Sequence, residues 1–116
     1  MHKKGSLADL PEGGYLVGTK LAPETGFHCD KVEVCFLRPD PKDYPGLLHI
    51  HEKMDEIVIV LKGKFTVEMD GESVEINPGE YVFKESGSPG RAMAADGGTE
   101  ILIIKAPSVA GDVALK

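Results

Sequence analysis

The sequence predicts an all-β domain, a closed barrel or a sandwich, on three observations. Apolar and polar residues alternate in short runs, 14 glycines and 8 prolines punctuate the chain throughout, and two runs are apolar without interruption. Alternation with a period of two is the mark of a strand covered on one face, and a continuous short apolar run marks one covered on both. No stretch of about 10 to 15 residues carries the apolar spacing of an amphipathic helix. About eight strands at this spacing suit a barrel or sandwich.

Residues 1–13 are expected to be an N-terminal tail, 14–106 the barrel, and 107–116 a C-terminal tail or an extra strand through Val113 and Leu115. Val32, Val34 and Phe36 alternate with Glu33, Cys35 and Leu37, a first clear strand. Pro39-Asp40-Pro41-Lys42-Asp43 is a loop, since each proline removes a ladder donor and restricts the residue before it. The two continuous runs are Ile57 to Leu61 and Ile101 to Ile104. Phe65, Val67 and Met69 alternate with Lys64, Thr66 and Glu68. Asp70-Gly71 then signals a two-residue hairpin, after which Val74 and Ile76 resume the alternation. Asn77-Pro78-Gly79 marks a turn before Tyr81-Val82-Phe83.

At 116 residues, with 41% hydrophobic and 28% charged, the chain has the balance of one ordinary soluble domain. The net charge of −6 and the pI near 5.1 make phosphate backbones and anionic membranes poor partners, so neither nucleic acid nor membrane is expected. No apolar run approaches the roughly 20 residues of a bilayer span. The start, Met1-His2-Lys3-Lys4-Gly5-Ser6-Leu7, lacks the apolar run of a secretory signal, so the cytoplasm is the expected location. There Cys29 and Cys35 are expected to be free thiols, with Cys35 buried among the strand residues 32–37.

Chemistry concentrates at His49-Ile50-His51. On a strand, residues i and i+2 share a face and lie about 6.5–7 Å apart along it, so both imidazoles can address one ion. Glu52-Lys53-Met54-Asp55 is polar enough to turn, and a reversal there brings Glu56 back on a neighbouring strand beside the histidines. Its parity mates Val58 and Val60 then face the same interior. Two histidines and one carboxylate on a common face form a facial triad with open positions for substrate, water or oxygen, suited to Fe(II) and less selectively to Mn, Ni, Zn or Co. No nucleophile elbow surrounds Ser86-Gly87-Ser88, and no Walker-type phosphate loop is present.

Gly46, His49, His51, Glu56 and Gly63 resemble the first motif of the cupin superfamily, with Gly46 closer to the first histidine than is usual. Aligning the second motif on Gly79 puts Glu85 at its Pro position, Gly87 at its Gly position, and Gly90 where the fourth metal ligand, a histidine, would stand. The resemblance covers about residues 31–105 and implies a double-stranded β-helix (jelly-roll) barrel, often a homodimer, with a metal site in its mouth. It implies His49, His51 and Glu56 as ligands of a divalent Fe, Mn, Ni or Zn ion, and Gly90 as a vacant position. Fold alone does not imply a reaction.

Besides a structural or interaction module whose apolar barrel face forms a dimer, two functions follow as expectations. One is a metal-dependent enzyme acting on a small molecule, an isomerase, lyase or dioxygenase. The other is a barrel that binds a sugar or an organic acid without catalysis, its metal site degenerate. Arg91, beside the vacant position, would bind an anionic substrate through its planar fork if it points inward, and is solvated surface if it points outward. Tyr44 is a further candidate substrate contact, against a rim or core role. His28, in the loop-like stretch Thr25 to Asp30, is either a surface residue or a borrowed ligand.

Overall fold

The described residues form ten strands: β1 (Tyr15–Val17), β2 (Glu33–Leu37), β3 (His49–Ile50), β4 (Asp55–Lys62), β5 (Phe65–Met69), β6 (Glu72–Ile76), β7 (Tyr81–Lys84), β8 (Gly90–Ala95), β9 (Glu100–Ala106) and β10 (Ala114–Leu115). They come from a computed structural model that describes residues 2–10 and 13–116. Part of the expected tail 1–13, namely Met1, Pro11 and Glu12, lies outside the described residues. The only helical segments among those described are 3₁₀ turns of three residues each at Leu7–Asp9, Pro23–Thr25 and Pro41–Asp43.

All strand pairs are antiparallel and form two five-stranded sheets, in the orders β1-β2-β9-β4-β7 and β10-β3-β8-β5-β6. The chain folds into the jelly-roll arrangement expected of it. Ile57–Leu61 and Ile101–Ile104 lie on β4 and β9 at the centre of the first sheet, paired Ile57 with Ile104 and Val60 with Ile101. Between the sheets, Val58, Val60, Phe65, Val67, Ile76, Ala95 and Ile101 form the buried core. Each larger side chain there contributes about 1.5–3 kcal/mol by leaving water. The outward positions of edge strand β7, Tyr81 and Phe83, remain exposed.

Turn chemistry fixes the register. Asp70 (φ 52°) and Gly71 (φ 81°) both take the left-handed conformation that a tight β5–β6 hairpin demands. Gly63 closes the β4–β5 turn at φ 82°, where an added Cβ would lie 2.7 Å from the Thr99 Cα. The close approach lets the Thr99 hydroxyl accept from the Lys64 amide and donate to the Lys64 carbonyl, each at 3.1 Å.

The C-terminal segment is more than a tail. β10 pairs with β3, setting Ala114 opposite Ile50 and Leu115 opposite His49. This two-residue strand covers what would otherwise be the open edge of the histidine strand.

Candidate functional site

His49 opens β3, and His51 follows directly after that strand. Glu56 lies on β4, but the reversal at residues 52–55 does not make β3 and β4 neighbours in one sheet. β3 pairs with β8 and β10, β4 with β7 and β9. The turn carries the chain from one sheet to the other, so His51 and Glu56 meet across the barrel interior.

His51 is 2% exposed and held from three directions. Its Nδ1 lies 2.6 Å from the carbonyl oxygen of Asp112. A carbonyl only accepts, so Nδ1 carries the proton and the neutral ring presents a lone pair at Nε2. Its own carbonyl accepts from the Gly87 amide at 2.7 Å. The turn after it is clasped by the Asp112 carboxylate, which accepts from the backbone amides of Glu52, Lys53 and Met54 at 2.9–3.0 Å. Burial works to raise the Asp112 pKa, yet these three donors hold it below the ordinary carboxylate value.

His49 is tied similarly, Nδ1 donating to the Leu47 carbonyl at 2.8 Å. Its ring meets that of His51 edge-on, centroids 5.0 Å apart. Among the described residues the His51 Nε2 has no hydrogen-bond partner although buried, and it faces Glu56 Oε2 at 3.7 Å. Burial is the foremost cause that lowers the His51 pKa, with the nearby Lys105 ammonium acting in the same direction. The ring is therefore neutral near pH 7, and two acceptors confront each other.

The remaining members of the site lie on the first sheet and form a row across four strands. Glu33 of β2 pairs with Lys105 of β9, Lys105 with Glu56 of β4, and Glu56 with Lys84 of β7. The signs alternate along the row. Lys105 Nζ is 3.8 Å from Glu33 Oε2 and 3.7 Å from Glu56 Oε2, and Lys84 Nζ is 4.0 Å from Glu56 Oε1. Ser108 adds a hydroxyl contact to Glu33 at 3.2 Å. Lys84 is only 4% exposed, and burial lowers its pKa against the opposing pull of Glu56.

The three expected ligands are thus brought to one region, but among the described residues no group of three or more His, Cys, Asp and Glu side chains is gathered closely enough to hold a metal ion. The donor chemistry nonetheless fits a divalent cation. Both imidazoles have Nδ1 committed to a carbonyl, the backing that fixes a metal-binding tautomer, and a carboxylate faces an unpartnered ring nitrogen. What opposes a cation is the pair of ammonium groups already beside Glu56.

The other candidates lie apart. Arg91 is opposite Glu68 and gives both Nε and Nη2 to its Oε2, at 3.1 and 3.0 Å. Its neighbours Gly90 and Ala92 take the alternate face, which Met69 and Val67 share, so Arg91 points outward. Tyr44 packs edge-on against Phe65, centroids 5.8 Å apart, as a core-flanking ring. His28 is exposed in the β1–β2 loop, its Nδ1 bonded to the Leu21 carbonyl. Cys35 is buried and Cys29 partly so, both as free thiols. A cavity of about 410 Å³ lies elsewhere, lined by Leu7, Leu10, Tyr15, Leu16, Leu21 and Phe27 among others, and includes none of the charged row.

Sequence reasoning missed Lys84, Lys105, Glu33 and Asp112. The first three carried a usable signal, because each holds the interior parity of an otherwise apolar strand. Asp112 carried none, since its role depends on where the C-terminus returns.

No curated protein matches the chain. Among solved structures, KdgF from a Halomonas species is similar with a TM-score of 0.64 at 24% identity, over 72% of this chain and 74% of that one. The DMSP lyase DddQ from Ruegeria pomeroyi DSS-3 aligns at 0.62 and 24% identity, over 78% of this chain but 45% of the longer lyase. Pac13 from Streptomyces, described as a nucleoside dehydratase, aligns at 0.63 and 11% identity, over 75% of this chain and 69% of that one. Residues 36–104, more than half of the chain, match the model of the cupin domain. With two antiparallel sheets, one of which carries the histidine strand, the chain belongs to the cupin family.

Proposed function

We propose that the chain binds a divalent transition metal, Fe, Mn, Ni or Zn, through His49, His51 and Glu56, and acts on a small molecule in the barrel mouth. The observation that carries this is the buried, unpartnered Nε2 of His51 facing the Glu56 carboxylate. An orphaned buried acceptor costs about 1–3 kcal/mol unless something satisfies it. A cation satisfies the ring nitrogen and the carboxylate together. When bound, such an ion supplies Lewis acidity toward a carbonyl or hydroxyl oxygen.

The chain's own residues do the rest. The Leu47 and Asp112 carbonyls keep both imidazoles in the binding tautomer. Lys84 and Lys105 give the mouth two ammonium groups, which favour a substrate carrying a carboxylate or another anionic group. Two of the similar barrels bear the names of a lyase and a dehydratase, so elimination is the reaction class to test first.

Titration with Mn²⁺ and Zn²⁺ tests the reading. Wild type is expected to take up one ion per chain at saturation, and the His49→Ala/His51→Ala variant none. A folded wild type that takes up no ion at saturation overturns it. That result would favour the second reading, a non-catalytic barrel for a sugar or organic acid. The observation on that side is the charged row, which already neutralises Glu56 without metal.

A further inference from the structure

The space over Gly90 is not empty. Gly90 pairs with His49 across the β3–β8 ladder, so a side chain at position 90 would grow out beside the first histidine. A Cβ built there would lie 3.1 Å from the Glu68 carbonyl oxygen, 3.2 Å from Lys84 Cδ and 3.3 Å from Lys84 Nζ. The lysine comes from β7 in the opposite sheet, is buried, and ends against Glu56. Among the described residues, Glu56 is the only carboxylate within 4.0 Å of its ammonium. Lys105 differs, because it is shared between Glu56 and Glu33.

From this juxtaposition we infer that Lys84 is a resident cation of the site, filling the position that a residue-90 side chain would take and competing with a divalent ion for Glu56. The inference rests on the metal reading above and names a residue that weakens cation binding at that site. Glu56 has two oxygens, and Lys84 and Lys105 each approach a different one, Oε1 and Oε2. An ion held by His51 and Glu56 would share that carboxylate with both ammonium groups, Lys84 at Oε1 and Lys105 at Oε2. Like charges that share one carboxylate repel in a partly buried setting. Removing the Lys84 charge relieves that repulsion and returns the Glu56 charge to the ion.

The test is calorimetric titration of Mn²⁺ and Zn²⁺ into wild type, Lys84→Met, Lys84→Gln and Lys84→Arg, with thermal melting to establish that each is folded. Lys84→Met should bind roughly tenfold tighter or more, in line with the effect of charges and partners just outside a metal's ligands. Lys84→Gln removes the same charge while keeping a polar tip, and it carries the test if the methionine variant does not fold. Lys84→Arg keeps the charge and should bind no tighter than wild type. Binding by the neutral variants alone, with none by wild type, overturns the metal reading for the natural chain and identifies Lys84 as the group that excludes the ion. Equal or weaker binding by both neutral variants, with measurable uptake by wild type, overturns it and leaves the metal site standing. Failure of every folded chain to bind either ion overturns the metal reading and this inference together.

Discussion

Along β2, β9, β4 and β7 the interior positions nearest one end of the barrel are Glu33, Lys105, Glu56 and Lys84, while two residues further in they are Cys35, Ile103, Val58 and Val82. One row is ionic and the next is apolar, on the same four strands and in the same register. The apolar row needs only to be out of water, because the hydrophobic effect has no direction. The ionic row depends on each member having its neighbours, because a buried charge that loses its partner is left uncompensated. The mouth is therefore the part of the barrel where identity matters at each position, and the interior is where volume matters.

Substitutions at the two levels should separate these rules. The largest loss is expected in the apolar layers, where Ile101 is 0% exposed. Ile101→Ala should lower unfolding stability by about 2–5 kcal/mol in urea titration, whether or not metal is added. A loss below about 1 kcal/mol would mean that the core collapses around the gap and packing does not define this end.

Glu56→Gln should cost less, about 1–3 kcal/mol, by leaving the Lys84 and Lys105 ammonium groups without their shared carboxylate. The Lys84→Met/Glu56→Gln double variant should regain part of that loss, which a double-mutant cycle measures. Strictly additive losses would show that Lys84 and Glu56 are not energetically coupled.

The smallest effect is expected at Asp112, which clasps the 52–54 backbone from outside the row. Its carboxyl is held below its ordinary value of 3.8 by those amides. The stability it brings is thus complete above about pH 3.8 and is lost as pH falls through the lower native value. Asp112→Asn should be about 1 kcal/mol less stable at pH 7, and the difference from wild type should shrink in strong acid. A difference that stays constant down to pH 2 would place the role of Asp112 in shape rather than in charge.

Much of the barrel was legible from local pattern. The alternation at 65–69, the Asp70-Gly71 turn and the continuous runs at 57–61 and 101–104 each depend on neighbours in sequence, and each became the expected element. His49-Ile50-His51 and Glu56 were likewise legible as a cluster, because a strand period and a turn length are local quantities. The path between them was not: the turn changes sheets instead of closing a hairpin, a choice made by strand pairing. Arg91 could not be assigned to a face until its register with Glu68 was known.

The chain's own order of residues determined that it would form short strands, where they would turn, and that His51 and Glu56 lie one turn apart. Tertiary structure alone decided that Lys84 would lie over Gly90, that Lys105 would join Glu33 to Glu56, and that the Asp112 carbonyl would set the tautomer of His51. The reason is distance along the chain. Periodicity and turn chemistry act over a few residues, whereas His51 and Asp112 are 61 residues apart in sequence and meet only because β10 returns to the edge of β3.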